Sequence, residues 1–363
     1  MKKAMSGFDL RAMARELDAL KGAYVKKAYM PHYEQIVLRV NPKEMDQRDI
    51  VFVRGERIYT SQRDRPMPMT PPPFAMVLRK HLRNARLTGV EQVGFDRVLA
   101  FRFDTKNGER TLYVEVFRDG NIILVDHEGI IVQPLTHASY AGRTLKKGVA
   151  YTPPPAATDP YALNQKTLSE VLLASDRDLV STLGGKVNLG ATHANAVCAL
   201  AGHGPNSPTK EADATAVFDA LQVLLNDLAN SQEGHLMLNL VDGDPDDWLV
   251  HSNAMEQHQR QAWLSERAVE ATPILLPQHA DMPRVSFPSL CESIDVWKGM
   301  HDAHALQRRE EERFDQAGPG RGQSTEVEKL ERRRAQQQKA LAGFGVKIEK
   351  QQRLGHLIQE HWG

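Results

Sequence analysis

The chain has little cysteine, few aromatic residues and no long apolar run. Two cysteines in 363 residues, Cys198 and Cys291, cannot build a disulfide framework or a cysteine-rich zinc site. No apolar stretch approaches the length needed to span a bilayer. The opening MKKAMSGFDLRAMARELDALKG carries basic residues without an apolar core, so it does not read as a signal peptide. These absences predict a cytoplasmic protein in a reducing compartment, with no membrane partner. Net charge is absent too, but the zero hides a polarity. Residues 1–150 carry 26 Lys and Arg against 17 Asp and Glu, residues 151–300 carry 8 against 19, and the remainder 12 against 10. A basic segment beside an acidic one predicts that only the first faces a polyanion. The length leaves room for two or three domains.

Motifs for chemistry are missing as well. DGDPDD at 242–247 starts like a calcium loop, yet Asp247 stands where glycine is needed and Asn253 where glutamate is needed. HDAH at 301–304 sets two histidines one helical turn apart without a third ligand. GPGRGQST at 318–325 has no strand before it and no phosphate-loop lysine. No nucleophile, base and orienting group stand together. The expectation is a protein that is not an enzyme and uses no cofactor, no metal and no small-molecule substrate.

What is present reads as follows. FDLRAMARELDALKG has a helical apolar stripe of Leu10, Met13, Ala14, Leu17 and Leu20, with Gly22 as a stop. Short strands follow. PPPFAMVLRKHLRNARLTG opens a second helix at Phe74, with Arg79, Arg83 and Arg86 sharing the face opposite its apolar one and Lys80 beside them. That basic face is either solvated surface or a site for phosphates. Four more strands with turns KNGE, RDGN and HEGI complete an α+β domain built on an antiparallel β-sandwich or barrel. YTPPPAATDP at 151–160 marks a boundary, and residues 166–230 are helical.

VGFDRVLAF at 93–101 reads as a strand. Alternation puts Arg97 on the face of Phe95, Leu99, Phe101 and Phe103, where a guanidinium needs a carboxylate, a carbonyl or a phosphate. Asn188 and Gly190 in KVNLGATHA sit where a tight turn between two helices would aim backbone N–H groups at a phosphate, or simply turn the chain. Thr325 to Glu328 forms a capping box before a last helix. Its apolar heptads from Val327 to Ile358 predict a coiled-coil arm whose partner arm lies outside this chain.

Five blocks in order carry a resemblance: SGFDLRAMARELD, PPPFAMVLRKHLRNARLTGVEQVGFDRVLAFRF, YVEVFRDGNIILVD, KKGVAYTPPP and KLERRRAQQQKALAGFGVKIEKQQRLGHLI. The chain resembles the N-terminal part of the NFACT family, of archaeal type. That family includes the fibronectin-binding protein A homologues, bacterial RqcH and eukaryotic NEMF. The resemblance implies three parts. Residues 1–155 would be a tRNA-binding α+β domain like the N-terminal domain of formamidopyrimidine-DNA glycosylases. Residues 160–300 would be a helix–hairpin–helix domain with a small mixed segment, and 301–363 the start of a coiled-coil arm. It implies a ribosome quality control factor that binds stalled large ribosomal subunits carrying peptidyl-tRNA. Such a factor recruits tRNA for template-free, alanine-type tailing. The family's functional residues match Asp9 in GFDL and Asp96 and Arg97 in GFDR, which are expected to converge at a cleft. Arg79, Lys80, Arg83 and Arg86 join them as expected tRNA contacts, and Asn188 and Gly190 as phosphate contacts. Two alternatives remain. A glycosylase-like nucleic-acid-binding protein would lack the N-terminal proline and the zinc finger of the enzymes. A surface adhesin binding fibronectin would lack an export signal, an anchor and repeats.

Overall fold

Residues 7–126 repeat one pattern, a helix followed by a four-stranded meander. The computed structural model describes residues 4–43, 45–140, 142–316 and Arg334. In the first copy, helix α1 (Gly7–Asp18) leads into β1 (Tyr24–His32), β2 (Gln35–Asn41), β3 (Arg48–Val53) and β4 (Arg57–Ser61). In the second, α2 (Pro73–Leu82) leads into β5 (Arg86–Gln92), β6 (Val98–Asp104), β7 (Arg110–Glu115) and β8 (Ile122–Asp126). With β9 (Ile131–Pro134) at one edge, the strands form one antiparallel sheet in the order β4-β3-β2-β1-β5-β6-β7-β8-β9.

The two copies meet where Tyr24 pairs with Arg86, and their hydrogen bonds there are reciprocal. Gly22 donates to the Leu87 carbonyl at 2.8 Å as Asn84 donates to that of Val25 at 2.9 Å. Val25 donates to Ala85 at 2.9 Å as Leu87 donates to Ala23 at 2.8 Å. Gly22 and Asn84 both take positive φ, 94° and 60°, to turn from helix into strand. Each copy also bulges at the same place, between Val25 and Lys27 and between Leu87 and Gly89.

Local sequence explains the helices. Ser6 and Asp9 form a capping box at the start of α1, and Pro73 opens α2 where a missing N–H costs nothing. Their apolar stripes, Phe8, Leu10, Met13 and Leu17 and then Phe74, Leu78 and Leu82, are buried. Phe52 of β3 meets Phe101 of β6 edge to face at 5.2 Å, so both meanders share one core.

A small hairpin of β10 (Ala138–Tyr140) and β11 (Arg143–Leu145) precedes the proline-rich stretch. Helices α3 (Gln165–Leu173), α4 (Leu179–Lys186), α5 (Gly190–Leu200) and α6 (Ala214–Asn230) follow. A second sheet of order β13-β12-β14 comes from β12 (Gly234–Leu238), β13 (Ala268–Thr272) and β14 (Arg284–Phe287). Helices α7 (Trp248–Asn253) and α8 (Gln257–Arg267) lie between its strands in sequence, and α9 (Leu290–Ala303) and α10 (Ala305–Gln316) come after.

Helix α9 ties the two sheets together. Near its end, Asp302 accepts from Arg57 Nη2 at 2.6 Å, Arg57 Nε at 2.9 Å and the Tyr59 hydroxyl at 2.8 Å, all buried. Residues 1–309 accordingly form one compact unit, and 310–363 form a second. Among the described residues no helix is long and apolar enough to cross a membrane. The expected capping box at Thr325, the heptad seam and the GPGRGQST break lie outside the described residues.

Two expectations are corrected. Residues 93–97 are not strand but the turn between β5 and β6, so strand alternation does not govern Arg97. Helix α2 ends at Leu82, because Arg83 turns to an extended backbone and Asn84 to φ 60°. Arg86 therefore stands on β5, not on the helix.

Candidate nucleic-acid interface

The GFDR turn is clamped from three elements. Gln92 of β5 donates its amide to the Gly7 carbonyl at 2.9 Å and to the Asp96 carbonyl at 2.8 Å. Arg11 of α1 donates to the Gly94 carbonyl at 2.9 Å and lies over the rings of Phe95 and Tyr161 at 5.4 and 5.3 Å. Asn188, in the turn between α4 and α5, donates to the Phe95 carbonyl at 3.0 Å and to that of Thr158 at 3.2 Å. Phe95 is buried edge to face against Phe8 at 5.1 Å. Every carbonyl from Gly94 to Asp96 thus has a side-chain donor, and the Arg97 carbonyl takes the Val116 N–H at 2.7 Å.

On this fixed backbone Arg97 is exposed. The Asp96 carboxylate accepts the Arg97 backbone N–H at 2.7 Å. The Arg97 guanidinium makes no hydrogen bond or ion pair among the described residues. The buried arginine expected from strand alternation is thus replaced by a solvent-facing one. Behind the turn, Glu115 is fully buried with Arg143 and the Tyr151 hydroxyl. Burial pushes its carboxyl above the ordinary range against the pull of Arg143, and nearby Asp96 pushes the same way.

Asp9 does not join this group. It is buried in the first turn of α1, where its carboxylate accepts the Ser6 N–H at 2.7 Å and hydroxyl at 2.8 Å. No hydrogen bond or ion pair joins it to Arg97. The start of α1 does meet the turn, but through Gly7 and Phe8, so the expected convergence of three charges is corrected.

A basic groove of ≈ 600 Å³ runs between α2 and β1, lined by Lys26, Lys27, Arg79, Lys80 and Arg83 with Met76, and by no acidic residue. Arg79 is anchored: its Nε donates to the Ala28 carbonyl at 2.7 Å and its guanidinium covers Tyr29 at 5.3 Å. Lys80 and Arg83 are exposed, and neither has a hydrogen-bond or ion-pair partner among the described residues. Burial, then the cations Arg110, Lys80 and Lys147, lower the pKa of neighbouring His81. Arg86 is outside the groove and pairs with Asp104 at 3.6 Å.

In the other copy Asp18 stands near the place of Lys80. It closes the equivalent space between α1 and β5 by accepting the Val90 N–H at 2.8 Å. Lys26 and Lys27 escaped the sequence reading. A bulge there lets successive residues reach one groove, and KK within AYVKKAYM was the only trace of it.

The α4–α5 turn is tight as expected, with Asn188 at φ 63° and Gly190 at φ 68°. The Asn188 side-chain amide donates to two protein carbonyls, so the side chain itself holds the turn in place. Gly190 remains exposed at the start of α5.

The family model described as NFACT N-terminal and middle domains matches residues 6–362. This chain belongs to the NFACT family. The NFACT chain is 30% identical over 250 residues to the archaeal Rqc2 homolog aRqcH of Methanocaldococcus jannaschii, covering 66% of this chain and 37% of that protein. It is 31% identical over 178 residues to the human ribosome quality control complex subunit NEMF, covering 49% of this chain and 16% of that one. The chain therefore spans well under half the length of these relatives. Its fold is similar to the N-terminal part of the fibronectin/fibrinogen-binding protein of Streptococcus suis, with TM-score 0.61 and 22% identity over 82% of this chain and all of that one. The fibrinogen-binding protein of Staphylococcus aureus is similar at TM-score 0.57 and 19% identity, covering 80% of this chain and 97% of that one. At these identities the structures show the fold alone.

Proposed function

We propose that this NFACT chain is the tRNA-facing part of a non-enzymatic ribosome quality control factor. It would hold tRNA at a stalled large ribosomal subunit carrying peptidyl-tRNA, while the ribosome performs template-free tailing. Relatives that are named ribosome quality control subunits support the setting. The observation that carries the reading is Arg97: its turn is held by donors from α1, β5 and the α4–α5 turn, while its guanidinium is left to water. A structural arginine would be spent on the protein; a preorganised, unspent one suits a phosphate or a base edge. Lys26, Lys27, Lys80 and Arg83 supply the sequence-independent attraction that a phosphate backbone requires.

The finer architecture belongs to the same proposal. The nine-stranded sheet would act as a sandwich like the glycosylase N-terminal domain, residues 160–300 would hold a helix–hairpin–helix at the α4–α5 pair, and residues 301–363 would start a coiled-coil arm. A cytoplasmic location follows from ribosome work. Filter binding of total tRNA by wild type, Arg97→Ala and a Lys80→Glu/Arg83→Glu double variant tests it. Unchanged affinity in both variants at several salt concentrations would overturn it.

A further inference from the structure

Helix α2 packs against β1 along one flank and against β9 along the other. Its buried stripe of Phe74, Leu78 and Leu82 faces the core. At about 3.6 residues per turn, Arg79 then falls on the β1 flank, Lys80 on the crest and His81 on the β9 flank. The basic groove uses the first flank. The second flank is basic as well.

Arg110 opens β7 on its inward face, two residues before buried Leu112, so it points from the rim of the sheet toward the end of α2. Lys147 precedes Gly148, whose N–H donates to the Ile131 carbonyl of β9 at 2.8 Å, so it stands beside the same flank. The charges that act on His81 are those of Arg110, Lys80 and Lys147, three cations and no carboxylate. Lys80 and Lys147 are exposed, and His81 and Arg110 are half-buried. None of the four has an ion-pair partner among the described residues. Arg110 Nη1 donates to the Glu109 carbonyl at 2.8 Å and lies 3.4 Å from His127 Nδ1. Its Nη2 and the His81 ring nitrogens make no hydrogen bond among the described residues, and none of them is sealed from solvent. The neighbouring carboxylates are engaged elsewhere. Asp126, opposite Arg110 on β8, closes its turn by accepting the Glu128 and Ile130 N–H groups at 3.1 and 2.9 Å. Glu109 and Asp104 face Arg102 and Arg86 at 3.7 and 3.6 Å. Like charges gathered without a counter-ion repel one another until an anion joins them.

We infer that Lys80, His81, Arg110 and Lys147 form a second phosphate-binding site, so that an RNA backbone in the groove crosses the end of α2 and sets a further phosphate on the β9 flank. This inference rests on the RNA reading of the groove and extends it from one flank of the helix to both. Lys80, on the crest, serves each side. The imidazole makes the site sensitive to pH. Burial and the three cations lower the pKa of the free ring, and a bound phosphate reverses that field. RNA therefore binds more tightly where His81 is protonated, on the acid side.

Filter binding of total tRNA to the full chain at about pH 8 and about pH 5.5 tests the site. A rise of about one unit in the His81 pKa on binding makes wild type bind about tenfold more tightly at the acid pH. The slope of log affinity against log salt should be steeper there by about 1. His81→Gln should lose both changes. Lys147→Glu alters an exposed side chain and leaves folding alone. It should weaken binding several-fold at both pH values and flatten the slope by about 1. Equal pH responses in wild type and His81→Gln would overturn the inference, and so would wild-type affinity and slope in Lys147→Glu. Either result, beside a Lys80→Glu/Arg83→Glu variant that has lost tRNA, would leave the tRNA reading standing. If that groove variant binds tRNA as wild type does, the reading itself falls, and this site with it.

Discussion

The Asn188 amide holds the Phe95 carbonyl at 3.0 Å, joining a turn between two helices to a turn between two strands far away in sequence. Its second hydrogen fixes Thr158 in the connecting stretch at 3.2 Å. The helical part of the chain therefore sets the backbone from which Arg97 projects. Through its side chain, Asn188 positions the turn that carries the solvent-facing arginine.

Substitution at Asn188 separates two costs. Asn188 sits at φ 63°, a conformation glycine adopts freely and alanine does not. Asn188→Gly should lose the two bonds to Phe95 and Thr158, about 1–2 kcal/mol in all. Asn188→Ala should lose the same bonds and add about 1 kcal/mol of backbone strain. Urea melts of the two variants measure the difference. Equal stabilities would mean that the turn relaxes and does not hold Phe95 as described.

Arg97→Ala should change stability by less than about 0.5 kcal/mol, because the side chain is exposed and has no partner to abandon among the described residues. RNA affinity should fall by about tenfold or more, the worth of a charge-assisted contact. Arg97→Lys should recover part of the loss, since it keeps the charge without the planar fork. A melt shifted by several degrees, with RNA binding intact in the folded fraction, would reverse the assignment.

The sequence read well where period and turn chemistry were strong. The apolar stripes of α1 and α2 appear as expected, and the turns KNGE and HEGI close strands at Gly108 and Gly129, both at positive φ. It misled at GFDR. Phe95 is apolar and buried, so the alternation of a strand seemed to run through it, yet Gly94 at φ 60° bends the chain there. It misled again at Arg86, where Asn84 at φ 60° ends a helical pattern that spacing alone would continue. The repeat of helix and meander was hidden because its two copies share hydrogen-bond geometry and bulges more than residues. The pair of Arg57 and Asp302 joins positions more than 200 residues apart, which no local pattern announces.

Groove charges should show in the salt dependence. Lys80→Glu with Arg83→Glu removes two unpaired cations, so the slope of log affinity against log salt should flatten by about 2. Folding should survive, because both side chains are exposed and the buried face of α2 is untouched. Arg79→Ala should behave differently. It also gives up the bond to the Ala28 carbonyl and the cover over Tyr29, so stability should fall by about 1 kcal/mol as well. Titrations over a salt series decide; an unchanged slope in the double variant would make the groove ordinary solvated surface.

The two ends of α9 should respond to pH with opposite sign. At its start, Glu16 accepts the Leu290 N–H at 2.7 Å and the Cys291 N–H at 2.8 Å. Burial raises its carboxyl above the ordinary 4.5 in spite of those bonds. The folded chain then holds a proton that the unfolded chain has released, so Glu16 makes stability fall as pH rises from 4.5 through the raised value. At the other end, burial also pushes Asp302 up, but His301, Arg57 and Tyr59 override it and hold its carboxyl well below 3.8. That stability is present above 3.8 and drains away as pH falls below it. Asp302→Asn should also cost about 3–5 kcal/mol near neutral pH, because it strands buried Arg57. Urea melts of wild type, Glu16→Gln and Asp302→Asn over acid to neutral pH give the comparison. The advantage of wild type over Glu16→Gln should shrink as pH rises past 4.5, and its advantage over Asp302→Asn should shrink as pH falls below 3.8. Stability curves that run parallel for all three proteins would show that neither carboxylate titrates differently on folding.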